Sequence, residues 1–131
     1  MGIFRSIFGN STSEENQENN NASWIPLNSL EQLSEIEEVS KNRPQIIFKH
    51  STTCGISGMV FRMFKQAYNL EPDAADLYYL DLHAYREISN EVAKKFGVYH
   101  QSPQLIVIKN GAVVRHDSHG AISELSLEEY L

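Results

Sequence analysis

The sequence predicts an α/β domain that contains a mixed four-stranded sheet flanked by helices. Short apolar runs, which suit buried strands, alternate along the chain with segments whose apolar residues recur at helical spacing. The last two predicted strands are joined by an Asn-Gly step, a strong signal for an antiparallel hairpin because both turn positions need a positive φ. The 131 residues amount to one ordinary domain. The predicted order is α-β-α-β-α-β-β-α, in which a parallel βαβ unit precedes a helix and the hairpin.

The composition excludes several classes of function. The chain has 11 Lys and Arg against 17 Asp and Glu, which gives a net charge of −6 with its five His neutral. This acidic balance, with scattered basic residues, argues against general nucleic-acid binding. No run of about 18 apolar residues exists, so the sequence predicts no membrane span. Cys54 is the only cysteine, which forbids an internal disulfide and a Cys-rich zinc cluster, and a reducing cytoplasm is the simplest setting.

The first 22 residues differ in composition from the rest of the chain. Residues 11–22 hold no apolar side chain except Ala22, so burial cannot compensate for the entropy of ordering them. We therefore expect a flexible segment over residues 1–22 and a folded domain over residues 23–131. Within residues 1–9, two pairs of apolar residues leave open a weak contact with a membrane surface or a partner.

The first half of the domain reads as helix, strand and helix. Helical spacing of four apolar residues predicts a helix over about 30–39, with Asn28 or Ser29 as its cap. Residues 45–49 are too few for a helix and are rich in β-branched and aromatic types, which predicts a buried strand. Seven apolar residues over 56–68 predict a strongly amphipathic helix. They are Ile56, Met59, Val60, Met63, Phe64, Ala67 and Tyr68. We expect Met59 and Met63 to be core residues on this stripe.

The second half of the domain contains the remaining strands. Residues 77–82 predict a second buried strand, and a helix over about 88–96 is closed by Gly97 as a left-handed cap. Residues 105–109 and 112–116 flank the Asn-Gly turn and form the hairpin. A final helix is expected from about Ile122 to the end of the chain, with Ser123 as a candidate cap.

Cys54 is the candidate nucleophile. It lies directly after the first predicted strand and before the first turn of the strongest predicted helix, where backbone N–H groups and the helix dipole stabilise a thiolate. On composition alone, a lone cysteine is more often a buried structural residue. The small polar residues around it, Thr53 among them, do not resemble a core segment, and Gly55 allows close approach to the sulfur. We therefore favour a reactive thiol, with a hydrogen bond from the Ser57 hydroxyl to its sulfur.

The residues around Cys54 carry a resemblance. Residues 54–57 (CGIS) have the Cys-x-x-Cys frame with its second cysteine replaced by Ser57. Together with the element order and with Pro103 before a hairpin strand, this frame resembles the thioredoxin superfamily. The resemblance implies a thioredoxin-like fold with an extra N-terminal helix. It also implies a cis peptide at Ser102–Pro103 that faces the active cysteine and offers backbone groups to a substrate chain.

Within that superfamily, residues 24–131 resemble the YtxJ-type monothiol bacilliredoxins. The shared features are residues 48–54 (FKHSTTC), 56–57, 102–104, 110–111 and 118–119. This resemblance implies an oxidoreductase in which Cys54 removes bacillithiol from S-bacillithiolated client proteins, with bacillithiol as co-substrate and no bound cofactor. The residues that it implies for substrate binding are Thr53, Gly55, Ile56, Ser57, Ser102, Pro103 and His119.

One departure from the family pattern keeps a rival interpretation open. The bacilliredoxins usually have proline after the cysteine, and this chain has Gly55. The loop is therefore also similar to the Cys-Gly-Phe-Ser loop of monothiol glutaredoxins, which implies an iron–sulfur cluster carrier or a glutathione-type thiol transferase. The acidic anchor of that family is missing at residues 118–122. A non-enzymatic interaction domain is the third alternative.

The five histidines give no metal signature. His116 and His119 bracket Asp117, but two imidazoles leave a zinc site short of ligands, so we expect a polar loop and no metal. The resemblance implies instead that His119 lies near Cys54. The spacing of His83 and His100 suggests no role.

Overall fold

The structure, a computed structural model, describes residues 23–131. Its elements are β1 (Trp24–Pro26), α1 (Glu31–Val39), β2 (Gln45–His50), α2 (Gly55–Ala67), β3 (Asp76–Asp81), α3 (Arg86–Phe96), β4 (Gln104–Lys109) and β5 (Ala112–Ser118). Two 3₁₀ segments, His119–Glu124 and Leu127–Tyr130, complete the chain. The segment predicted to be flexible, with its apolar pairs, lies outside the described residues.

The strands form one mixed sheet in the order β1-β3-β2-β4-β5. The first three strands of this order are parallel, whereas β4 is antiparallel to β2 and β5 is antiparallel to β4. The mixed sheet and its hairpin confirm the prediction, but over residues 23–131 the sheet has five strands rather than four. The missed strand, β1, is only three residues long and contains Pro26, so it carries no alternating pattern that a sequence could reveal.

The core divides into two apolar clusters because alternate residues of each strand point to opposite faces of the sheet. Ile47 of β2 packs with α1 and α3 on one face, and its neighbours Ile46 and Phe48 pack with α2 on the other. Every residue of β2 is buried as a result. This burial explains why the segment reads as a continuous apolar run rather than as an alternating one.

Helix α2 buries only part of its apolar stripe. Val60 and Phe64 pack in the core, but Ile56, Met59 and Met63 are 60%, 47% and 44% exposed. The prediction that Met59 and Met63 are core residues is therefore wrong. The seven apolar positions span a wider arc of the helix than the arc that contacts the sheet, so one edge of the stripe faces solvent.

The turn residues adopt the backbone conformations that their types favour. Gly97 ends α3 with φ 69°, which confirms the left-handed cap, and Asn110 and Gly111 have φ 55° and 80° at the hairpin turn. At the start of α1, the Gln32 side chain accepts hydrogen bonds from the backbone N–H groups of Asn28 and Ser29. The N-cap residue is Leu30, and no side chain caps the helix, so the prediction of Asn28 or Ser29 as the cap is wrong.

The predicted C-terminal helix is absent from the described residues, and the two 3₁₀ segments take its place. Ile122 and Leu127 are buried against the α2 side of the sheet, and their spacing of five residues does not suit an α-helical stripe. Ser123 donates a hydrogen bond to the carbonyl of Gly120 instead of capping a helix. Among residues 23–131, no helix is both long and apolar enough to cross a bilayer.

Candidate active site

Two loops assigned to the site lie at the same edge of the sheet. β2 runs into residues 51–54, and β4 begins directly after the Ser102–Pro103 step. Lys49 is paired with Gln104 in the register of β2 and β4, so Pro103 lies beside the end of β2. The Ser102–Pro103 peptide bond is cis, as the resemblance implies.

A third segment reaches the same edge from the end of β5. The backbone N–H of His119 donates a hydrogen bond of 3.0 Å to the carbonyl of Pro103. His119 is exposed and has φ 58°, a left-handed conformation that is uncommon for a residue other than glycine. One residue earlier, the Ser118 hydroxyl donates to the side-chain carbonyl of Gln101 in the loop before Ser102. Contacts between backbone and side chains therefore join the segments around residues 102 and 119.

Cys54 caps the N-terminus of α2 in an extended conformation. Its backbone N–H donates to the carbonyl of Ser51 at 3.2 Å, and its carbonyl accepts from the N–H of Gly58 at 3.1 Å. Cys54 is partly exposed and is not in a disulfide. A Cβ added at the next residue, Gly55, would meet no atom within 4 Å, so there is open space at Gly55. This position combines access from solvent with the positive end of a helix dipole.

Ser57 anchors the loop before Cys54 instead of contacting the sulfur. Its side chain is fully buried, and its oxygen accepts a hydrogen bond of 3.1 Å from the N–H of Ser51. The same oxygen lies 2.7 Å from His50 Nδ1. The predicted hydrogen bond from Ser57 to Cys54 is therefore wrong, because Ser57 lies on the buried side of α2 and points to the end of β2.

His50 completes this anchor in an aromatic environment. Its ring packs among Phe48, Phe61 and Tyr79, with centroids 5.1 to 6.4 Å apart. Burial lowers the pKa of His50, an effect that Asp81 opposes and Lys65 reinforces. The neutral imidazole can accept a hydrogen bond at Nδ1 from the Ser57 hydroxyl, while Ser57 accepts from Ser51. The Ser57 hydroxyl can then donate to His50 while its oxygen accepts from Ser51.

His83 is a residue near the site that the sequence did not reveal. Its Nε2 lies 2.8 Å from the Ser51 hydroxyl and 3.1 Å from the Thr53 hydroxyl. The carboxylate of Asp81 accepts a hydrogen bond from the backbone N–H of His83. Parallel pairing of β2 with β3 brings these residues together across about 30 positions of sequence. The predicted strand order could have indicated that His83 lies near this loop, because the carboxyl ends of adjacent parallel strands meet at one edge of the sheet.

Lys49 points to the opposite face of β2 from His50. It is fully buried, and its Nζ lies 3.1 Å from His100 Nδ1, with no carboxylate at ion-pair distance in the part of the chain described here. Burial lowers the pKa of Lys49 to about 8. The pKa of His100 is lowered by burial and then by the nearby charges of Lys49 and Arg86. A neutral His100 accepts from the Lys49 ammonium and links β2 to the loop that precedes Ser102.

The comparison with known families decides the assignment. The family model described as monothiol bacilliredoxin BrxC matches residues 25–127. The chain belongs to the monothiol bacilliredoxin family.

Solved structures similar to this bacilliredoxin-family chain agree with the assignment. An oxidoreductase with a thioredoxin fold is 34% identical, with a TM-score of 0.68, and the match covers 81% of this chain and 91% of that one. A thioredoxin from Schistosoma mansoni is 20% identical (TM-score 0.62, 86% and 99% covered), and thioredoxin O2 from Arabidopsis thaliana is 18% identical (0.65, 83% and 95%). The last two matches show the fold alone. The family model and the 34% identical oxidoreductase confirm the predicted thioredoxin-like fold and the thiol–disulfide oxidoreductase class.

This bacilliredoxin family member brings most of the predicted site residues to one edge of the sheet. Residues 53–57 form the loop and the first turn of α2, and the segments around residues 102 and 119 meet at Pro103. Ile56 lies on the exposed face, whereas Ser57 faces the interior. Within residues 23–131, no group of three or more His, Cys, Asp or Glu side chains is arranged to hold a metal ion.

Proposed function

We propose that this protein removes bacillithiol from mixed disulfides on client proteins, with Cys54 as the nucleophile. The observation that carries the proposal is the position of the only cysteine in the chain, partly exposed at the N-terminus of α2 beside the open space at Gly55. Because Ser57 stands where a dithiol enzyme has its second cysteine, every disulfide that Cys54 forms joins it to another molecule. Membership of the monothiol bacilliredoxin family supports bacillithiol as the small thiol.

The reaction proceeds through two thiol–disulfide exchanges. In the first, the Cys54 thiolate attacks the bacillithiol sulfur, the bond to the client sulfur breaks, and the client thiolate leaves and takes a proton from water. In the second, a thiolate of free bacillithiol or of a reductase attacks the bacillithiol sulfur held on Cys54. This step releases the Cys54 thiolate and leaves the small thiol in a new disulfide with the attacking thiol. The two electrons that reduce the client disulfide come from Cys54 and then from the second thiol.

The surrounding residues have separate roles in this proposal. The loop and helix residues Thr53, Gly55 and Ile56 border the thiol, and Ser57 holds the loop through Ser51 and His50. The backbone of Ser102 and Pro103 offers an edge to an extended client segment. His119, linked to Pro103 by its backbone, contributes hydrogen bonds to the bound small thiol. The reducing cytoplasm is the compartment in which a lone thiol of this type remains reduced.

A transfer experiment tests the proposal. The purified protein is mixed with a client protein whose single cysteine carries bacillithiol, and both proteins are followed by mass spectrometry. We expect release of the client thiol together with a mass increase of one bacillithiol on Cys54, and no transfer with Cys54→Ser. The same client carrying glutathione should react more slowly. Failure of the wild-type protein to remove bacillithiol from any client would contradict the proposal.

The glutaredoxin-like alternative predicts a different product. The resemblance of the loop around Gly55 to that of the cluster-carrying glutaredoxins is the feature that favours it. Protein purified without oxygen, from cells grown with iron, would then be brown and would show absorbance typical of an iron–sulfur cluster. Colourless protein that accepts bacillithiol at Cys54 would favour the bacilliredoxin reaction.

A further inference from the structure

We propose that the exposed side of α2 beside Cys54 is a docking surface for client segments that combine apolar with acidic residues. We define this α2 face by Ile56, Met59, Arg62 and Met63. The inference rests on the proposed function and adds to it the chemical class of the client.

The apolar part of the α2 face extends from the reactive thiol along the helix. Ile56, Met59 and Met63 are 60%, 47% and 44% exposed, and their spacing places them on one side of α2. Cys54 lies at the N-terminus of α2 and Ile56 lies in the first turn, so a client segment bound at Cys54 can continue along this face of the helix. Methionine side chains are flexible and polarisable, which suits a surface that contacts many different sequences.

The charge of α2 is opposite in sign to that of the whole protein. The chain has a net charge of −6, whereas α2 carries Arg62 and Lys65 and no acidic residue. Lys65 lies 4.5 Å from the centroid of the Phe61 ring, while Arg62 makes no ion pair with any residue from 23 to 131. The Arg62 guanidinium lies over Gly58, with Nη1 3.7 Å from the position that a Cβ would take there. A carboxylate on a bound segment would meet this guanidinium.

The same charge argues for a client segment over a second copy of this chain. In a two-fold contact, the α2 face would meet itself and bring the two Arg62 side chains close together, which disfavours a dimer through this surface. A client segment with a carboxylate has no such penalty. Its apolar residues would cover the methionines while its carboxylate faces Arg62.

The length of the helix sets where the acidic residue should lie in the client. The Arg62 guanidinium lies over Gly58, four residues beyond Cys54, which corresponds to roughly 6 Å along a helix at about 1.5 Å per residue. An extended client segment advances about 3.3 Å per residue. The acidic residue is therefore expected about two positions from the client cysteine.

Two matched peptides test the inference. Both have apolar residues around one cysteine that carries bacillithiol, and they differ only in Glu or Lys two positions from that cysteine. We expect the wild-type protein to react about threefold to tenfold faster with the Glu peptide than with the Lys peptide. The net negative charge of the protein alone would favour the opposite order. Arg62→Gln should remove this preference, and Arg62→Glu should reverse it. Met59→Glu should slow the reaction with the Glu peptide.

The controls separate docking from chemistry. Lys94→Glu makes the same charge change on the exposed side of α3 and should leave the preference intact. Dipyridyl disulfide, a small uncharged probe, should react equally with the wild type and all variants, whose folding is checked by thermal melting. Equal rates for the two peptides with the wild-type protein would overturn this inference and leave the proposed function standing. No reaction with either peptide would contradict the proposed function itself.

The Met59→Glu variant also shows whether the α2 face is already covered in the free protein. If Met59→Glu accelerates the reaction, or converts a dimer to a monomer in size-exclusion chromatography, the α2 face is occupied by the chain itself or by a second copy. Either result would overturn the assignment to a client segment.

Discussion

Two consecutive residues, Lys49 and His50, connect the end of β2 to the two loops of the site. Their side chains point to opposite faces of the sheet. His50 holds the loop before Cys54 through Ser57, and Lys49 holds the loop before Ser102 through His100. Because both contacts start from one buried strand, the relative placement of the two loops depends on a rigid element.

Ser57→Ala tests the first of these anchors. Removing the hydroxyl leaves the buried Ser51 N–H and His50 Nδ1 without this partner, which should lower the free energy of unfolding by about 1–3 kcal/mol. Ser126→Ala, which removes an exposed hydroxyl, is the control and should change it little. Urea denaturation measures both. Equal, small effects of the two substitutions would show that Ser57 does not anchor the loop.

Lys49 makes the stability of the domain change with pH in the alkaline range. Burial lowers its pKa to about 8 in the folded protein, while the same group in the unfolded chain titrates near the ordinary 10.5. Between these values the unfolded chain binds more protons than the folded chain, so the contribution of Lys49 to stability improves as the pH rises. Below about pH 8, the full cost of the buried ammonium is present.

Lys49→Met should remove that cost. We expect the variant to exceed the wild type in free energy of unfolding near pH 7 by up to about 3 kcal/mol, since one pKa unit corresponds to about 1.4 kcal/mol. The difference should shrink as the pH is raised from 8 to 10. Urea denaturation of both proteins over this range measures it, with Lys94→Met as the exposed control. A difference that stays constant with pH would contradict the assigned titration of Lys49.

At the scale of the elements, a pair of glycines isolates the effect of backbone conformation. Gly97 ends α3 with φ 69°, whereas Gly120 has no positive φ, and a Cβ at either position would meet no atom within 4 Å. Gly97→Ala should therefore lower the free energy of unfolding by about 1 kcal/mol, while Gly120→Ala should have little effect. Thermal or urea denaturation of the two variants checks this difference. Equal losses would show that the left-handed cap contributes nothing specific.

The predictable elements are those with a local physical signal. The buried strands are short apolar runs, α2 has a strong helical period, and the hairpin has its Asn-Gly turn. Helix period alone could not show which part of the α2 stripe contacts the sheet, so the exposure of Met59 and Met63 was missed. The short β1 depends on pairing with β3, and the 3₁₀ segments depend on packing of Ile122 and Leu127, neither of which is local.

The candidate site divides in the same way. Cys54 could be recognised from its place between a strand and a helix, and Ser102–Pro103 from the family resemblance. The partners of Ser57 and the position of His83 could not, because they depend on which strands lie side by side. Hydrogen bonds across a sheet edge have no spacing rule in the sequence.

At the scale of the whole molecule, residues 11–22 hold no apolar side chain except Ala22, so we expect this part of the chain to add little to the folded domain. Removing residues 1–22 should therefore change the melting temperature by no more than a few degrees and leave transfer of bacillithiol to Cys54 nearly unchanged. Differential scanning calorimetry and the transfer experiment on the shortened chain measure the two effects. A larger fall in melting temperature would show that the apolar pairs of residues 1–9 pack on the domain.

The two outer strands of the sheet also bear on how concentrated protein behaves. β1 is three residues long and ends in Pro26, which has no N–H to offer to an incoming strand. At the other border, β5 carries the ion pair of Arg115 with Asp117, and its ladder with β4 is irregular between Val107 and Ile108. Short length, proline, charge and irregular pairing all oppose the growth of a continuous sheet from molecule to molecule. Fibrils built by strand addition to these edges of the native fold, as described over residues 23–131, are therefore not expected.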